Sequence, residues 1–187
     1  MVQIANISFD ENNRVIIVND VIDNEVCGQI NSHLLSLIFA DDKKEAQLKE
    51  YKRQPIHFYI DSRGGGAYDA WSVIGVMLNS KTPIYTYCMG YAMSAGFKIF
   101  LAGHRRFMSK NAVLMYHQTS TRISGKLNDL IEDVDETKRV YAQYEYFVAE
   151  RTKIPLEKLH EIADKKTSWY IRSGERAKLS DLMMMAK

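Results

Sequence analysis

Ile56-His57-Phe58-Tyr59-Ile60-Asp61-Ser62-Arg63-Gly64-Gly65-Gly66 is the stretch on which the fold turns. Its first five residues read as a strand, and the strand runs without a spacer into three consecutive glycines. Beyond them Tyr68, Trp71, Ile74 and Leu78 share one helical face. Strand, tight turn, helix is the repeating unit of a parallel sheet with right-handed crossovers.

The same grammar recurs on both sides. Upstream, Arg14 to Val18 is a β-branched strand, and Val26, Ile30, Leu34, Leu37 and Ile38 recur at helical spacing between Glu25 and Phe39. A stretch of mixed charge from Asp41 to Gln54 follows and reads as a solvated helical face or loop; Pro55 ends it. Downstream, Thr82-Pro83 marks a turn before a third strand, Ile84 to Cys88. A small-residue turn then leads into a compact apolar helix ending near Leu101. Arg106 to Met108 and Val113 to Tyr116 are strand-like. Lys126 to Arg151 reads as a long helix with Leu130, Val134, Tyr141, Tyr144 and Val148 on one stripe. Pro155 begins a shorter helix, since proline suits a first helical turn. The expectation is one α/β domain over residues 1–187.

Composition narrows the function classes. The 187 residues are 46% hydrophobic, enough for a core without metal or disulfide staples. With 25 Lys+Arg against 23 Asp+Glu the net charge is +2, which gives no electrostatic case for a nucleic-acid partner. Cys27 and Cys88 stand outside any CxxC or metal-ligand spacing and read as buried free thiols of a reducing compartment. No signal peptide is visible, and the longest apolar run, Ala92 to Gly103, is interrupted by Lys98 and too short to span a bilayer. A cytoplasmic protein with no membrane partner, metal or cofactor is expected.

Three segments can carry chemistry. Gly90-Tyr91-Ala92-Met93-Ser94-Ala95-Gly96 follows a strand and opens a helix. A serine there projects from a sharp turn, beside helical N–H groups that have no partner and favour negative charge. Attack by a serine creates an oxyanion that needs such donors. The plainer reading makes Ser94 a simple helix cap. His117, at the exit of the strand Val113 to Tyr116, is of the residue type that serves as base for such a serine. The loop Gly64-Gly65-Gly66 exposes backbone N–H groups that could complete an oxyanion hole or cradle a phosphate. Neither GK[ST] nor G-x-G-x-x-G is present, which excludes the P-loop and dinucleotide readings.

Together the three segments resemble the proteolytic subunit of the Clp protease family. That family carries Ser-Pro-Gly-Gly after a strand, then Gly-Met-Ala-Ala-Ser-Met-Gly, then Met-Ile-His-Gln-Pro. The matching stretches here are Ser62 to Gly65, Gly90 to Gly96 and Met115 to Thr119. The likeness runs from about Arg14 to Leu182 and includes Glu150-Arg151-Thr152 with Leu156-Glu157. It implies a crotonase-like αβ spiral with a protruding long helix. Residues 14–125 would form the head, 126–151 the handle-like helix, and 152–187 the remainder of the head. It implies Ser94 as nucleophile, His117 as general base, and the N–H groups of Gly65 and Ala95 as oxyanion hole. It further implies heptameric rings stacked into a chamber, polypeptide substrates, and an ATP-driven unfoldase of the AAA+ class as partner.

The sequence departs from the family at several places. The aspartate that orients the histidine has no clear counterpart. Anchoring on Ser173 and Ala177 puts Trp169, Ser168 or Thr167 near its place, and Asp164 is the nearest acid. Arg63 stands for the family proline, and the segment from Asp41 to Arg53 is longer than expected. The N-terminus lacks the family's longer axial segment, so docking to a standard unfoldase is in question. Two alternatives remain at this point: a weakly active or inactive structural subunit of a mixed assembly, and a crotonase-type acyl-CoA enzyme. The second would need acids near the oxyanion turn, and Met89 to Gly96 has none.

Overall fold

The computed structural model describes residues 7–121 and 124–172. Its elements run β1 (Ile7–Asp10), β2 (Val15–Val18), α1 (Asn24–Gln47), β3 (Ile56–Ile60), α2 (Ala67–Leu78), β4 (Ile84–Cys88), β5 (Tyr91–Met93), α3 (Ala95–Ala102), β6 (Arg105–Met108), β7 (Val113–Tyr116), α4 (Leu127–Arg151), α5 (Leu156–Asp164) and β8 (Trp169–Arg172). One sheet has the order β1-β2-β3-β4-β6, parallel from β2 onward, with β1 antiparallel at its edge. A second sheet, β5-β7-β8, pairs β5 parallel to β7 and β7 antiparallel to β8. The α/β spiral with a long helix expected from the sequence is the architecture found.

The alternation in β3 shows how residues choose sides. Ile56, Phe58 and Ile60 are buried among the helices, each contributing about 2 kcal/mol by leaving water. His57 and Tyr59 face the other way. There Tyr59 stacks on Tyr87 at 4.5 Å between ring centroids and Tyr87 on Phe107 at 4.8 Å, a row across three strands.

The helices correct the sequence reading in detail. The face of α2 that enters the core is Ala70, Val73, Ile74 and Met77, whereas Tyr68 and Leu78 are exposed. Helix α1 starts where the Asp23 carboxylate accepts from the Val26 N–H at 2.9 Å, and it continues through the charged stretch to Gln47. That stretch is not simply a solvated face. Asp41 is fully buried and accepts from both terminal nitrogens of Arg14, from the Tyr51 hydroxyl at 2.6 Å and from the Thr82 hydroxyl at 2.7 Å. Arg53 closes the loop back onto Asp42 and Glu45. The apolar run after β4 is not one helix, because Tyr91 to Met93 first forms β5 and begins the second sheet.

Helix α4 changes character along its length. From Val140 onward it buries Val140, Tyr144, Glu145, Phe147 and Val148. Before that point it is exposed, with Leu127, Ile131 and Val134 facing outward. The expected stripe therefore enters the core only in its second half. Among the described residues no helix is long and apolar enough to cross a membrane, and no cluster of His, Cys, Asp and Glu could hold a metal ion. Cys27 and Cys88 are free and buried, as expected.

Candidate active site

The site forms where the two sheets meet. Ser62, just past β3, donates its N–H to Tyr91 O of β5 at 3.1 Å, and Met93 N–H donates to Ser62 O at 2.9 Å. Asp61 fastens the same junction by accepting from the Gly90 and Tyr91 N–H groups at 3.0 and 2.7 Å. The glycine loop is thereby laid against the turn that carries Ser94. Gly64 has to be glycine: its φ is +101°, and a Cβ there would stand 2.7 Å from Ser94 Cβ and from Met93 O.

Ser94 occupies a conformation that L-residues rarely adopt, φ 51° and ψ −116°, at the junction of β5 and α3. Such backbone persists only when its surroundings over-determine it. Here Ser94 N–H donates to Met115 O at 2.9 Å and Ser94 O accepts from Lys98 N–H at 3.1 Å. The side chain makes no capping bond, so the simple-cap reading does not hold. Instead Ser94 Oγ lies 2.8 Å from His117 Nε2. His117 reaches it because it directly follows β7, whose Met115 is in register with Met93. Both side chains are half-buried, in reach of a substrate yet partly shielded from water. Burial holds the imidazole below its usual pKa, which favours the neutral, proton-accepting form.

Two backbone donors lie on the segments packed around Ser94, the glycine loop and the start of α3. Ile22 N–H donates to Gly64 O at 2.9 Å and Gly66 N–H to Ile22 O at 2.6 Å, which clamps Gly65 between them at φ +156°. No described residue accepts from the N–H of Gly65, nor from that of Ala95, the first residue of α3. A serine hydroxyl bonded to a neutral imidazole, with free backbone donors close by, has the parts for nucleophilic acyl transfer.

The residues considered for the third position are spread out. Trp169 begins β8 opposite Tyr116, one residue before His117, and is partly buried in the core. Thr167 and Ser168 are exposed in the turn before it. Asp164 is exposed at the end of α5, where its charge bears on Glu145. No described carboxylate forms an ion pair with His117. Ser173, Glu175 and Ala177 lie outside the described residues. Sequence reasoning missed Asp61 and Ser62, whose bonds seat the glycine loop, and treated Lys98 only as a break in an apolar run.

A family model described as Clp protease matches residues 4–175. The chain is 27% identical over 165 residues to the ATP-dependent Clp protease proteolytic subunit 2 of Bacillus licheniformis, covering 87% of this chain and 80% of that one. It is 28% identical over 178 residues to the ATP-dependent Clp protease proteolytic subunit 4 of Rhodococcus jostii, covering 94% and 86%. With the fold and nearly the whole length matched, the chain belongs to the Clp protease family, a family of peptidases.

Proposed function

We propose that this protein is a serine endopeptidase that cleaves unfolded polypeptides through an acyl-enzyme on Ser94. The observation that carries the reading is the 2.8 Å contact between Ser94 Oγ and His117 Nε2 on a strained strand-to-helix turn. Ser94 Oγ attacks the scissile carbonyl carbon while its proton passes to His117 Nε2. The N–H groups of Gly65 and Ala95 receive the oxyanion. Collapse breaks the C–N bond, and the departing amine takes the proton from His117. Water then attacks the ester, giving its proton to His117, and Ser94 leaves with that proton restored.

Self-association into rings, heptameric or doubled to tetradecamers, supplies the chamber in this reading, and an ATP-driven unfoldase of the AAA+ class feeds it. Support comes from the exposed apolar residues Leu127, Ile131 and Val134 on the projecting half of α4, which water alone would not favour, and from the names of the two relatives. The test is degradation of an unfolded protein such as casein by the purified assembly, its mass read by native mass spectrometry. Peptide release that ends in Ser94→Ala supports the reading; release that persists refutes it.

A second reading, a weakly active structural subunit of a mixed assembly, is favoured by Trp169 near the family acid's place and by His117 lacking a described carboxylate partner. In a serine triad, loss of the orienting acid costs about four orders of magnitude in turnover. No casein cleavage by the chain alone, with cleavage restored when an active relative joins the assembly, would favour it.

A further inference from the structure

Lys98 is the feature the proposed chemistry leaves unused. It lies in α3 one turn past Ser94, and its N–H closes the first helical bond onto Ser94 O. The residue is 2% exposed. Four residues apart, Lys98 and Ser94 fall on the same side of the helix. A buried ammonium is costly unless an anion accompanies it. Among the described residues no carboxylate is within ion-pair distance of it. What surrounds it is aromatic: Nζ lies 4.1 Å from the centroid of the Tyr144 ring and 5.8 Å from that of Trp71.

We propose that Lys98 is a positioning residue of this site: its buried ammonium, set one helical turn behind Ser94, opposes a second positive charge on His117 and so keeps the base neutral and ready to accept the serine proton. The proposal rests on the acyl-enzyme reading for its consequence, but the electrostatic coupling exists whether or not Ser94 reacts.

The other charged and titratable groups around the pair are engaged elsewhere or exposed. On β7, the Tyr116 hydroxyl is 2.9 Å from that of Tyr141 on α4. Also on α4, Tyr144 lends its ring face to Lys98, while Glu145 is turned to His160 at 3.5 Å. On α2, Asp69 packs at Gly66, and its charge bears on Cys27. Asp61 holds the Gly90 turn. Arg63 of the glycine loop and Tyr170 and Arg172 of β8 are exposed. His117 is displaced downward, first by burial and then by Lys98, the direction a buried cation one helical turn from Ser94 produces.

Two readouts test this. The first is the NMR titration of the five histidine rings in selectively labelled protein, with His117 assigned by the loss of its signal in His117→Gln. Lys98→Met and Lys98→Gln are expected to raise the His117 midpoint, and Lys98→Arg to leave it in place. The second is the pH profile of fluorophosphonate labelling of Ser94, whose acid limb is expected to move by the same amount in Lys98→Met and Lys98→Gln. A purely structural lysine would leave both midpoints unmoved. An unmoved His117 titration in both neutral variants, or an equal shift in Lys98→Arg, overturns the inference. A Ser94 that reacts at no pH overturns the proposed function, and the NMR titration still decides the inference.

Discussion

Replacing Lys98 with Met is expected to stabilise the fold. Burial lowers the Lys98 pKa from 10.5 to about 8, a displacement that corresponds to about 3 kcal/mol of cost at pH 7. The ring faces of Tyr144 and Trp71 return about 2 kcal/mol of that. Met keeps most of the apolar stem and carries no charge, so the variant should gain about 1–3 kcal/mol at neutral pH. The pH dependence has a definite sign. Between pH 8 and 10.5 the unfolded chain holds the lysine proton and the folded one sheds it, so this contribution to wild-type stability rises with pH. The gap between variant and wild type is therefore widest below pH 8 and narrows above it. Chemical denaturation of both proteins at one subunit concentration, at pH 7 and pH 9.5, reads the gap directly, and comparison with the variant cancels tyrosine ionisation common to both. A Lys98→Met variant less stable than wild type, or a gap unchanged with pH, would refute the reasoning. A stabilising substitution beside a reactive serine is also what a site that trades stability for chemistry should show.

Asp41→Ala should lose about 3–5 kcal/mol, because it strands the Arg14 guanidinium beside the hydroxyls of Tyr51 and Thr82; urea denaturation measures it. Burial disfavours the Asp41 charge, but the bonds from Tyr51, Thr82 and Arg14 outweigh it and hold the carboxyl below 3.8. The stability it supplies is thus present above pH 3.8 and lost as pH falls through its lower folded value, a loss absent from Asp41→Asn. Gly65→Ala would place a Cβ 2.1 Å from Ile22 O at φ +156°, shifting the loop, so fluorophosphonate labelling of Ser94 should slow about 100-fold; a wild-type rate would remove Gly65 N–H from the oxyanion hole. Cys27 and Cys88, both pushed up to about 12 by burial, should resist iodoacetamide at pH 8 in the folded protein and give two adducts once denatured, read by intact mass.

What the sequence disclosed was local. Ile56 to Ile60, Ile84 to Cys88 and Val113 to Tyr116 are strands because β-branched and aromatic residues are held between turn signals, and the structure places all three at those bounds. The pairing of Ser94 with His117, 23 positions apart, was legible through the resemblance of three segments to one family, since turn chemistry and residue type by themselves fit a helix cap and a strand-end histidine as well. Long-range choices were not legible. Tyr91 to Met93 is too short for a period to show, and only its partner β7 makes it a strand. Ile7 to Asp10 is likewise a strand through its pairing with β2. Asp41 sits in a run of charges that reads as solvated, and its burial depends on Arg14, Tyr51 and Thr82 converging from far along the chain. Lys98 looks like an interruption in an apolar run, because nothing in the local pattern announces the ring of Tyr144, 46 residues later, that receives it.

The most direct test of the account is covalent labelling of the purified protein by a fluorophosphonate, read by intact mass beside Ser94→Ala and His117→Ala. The account predicts one adduct per chain, absent from the Ser94→Ala variant and strongly slowed in the His117→Ala variant. No adduct in any assembly state, or an adduct that survives in Ser94→Ala, would contradict it.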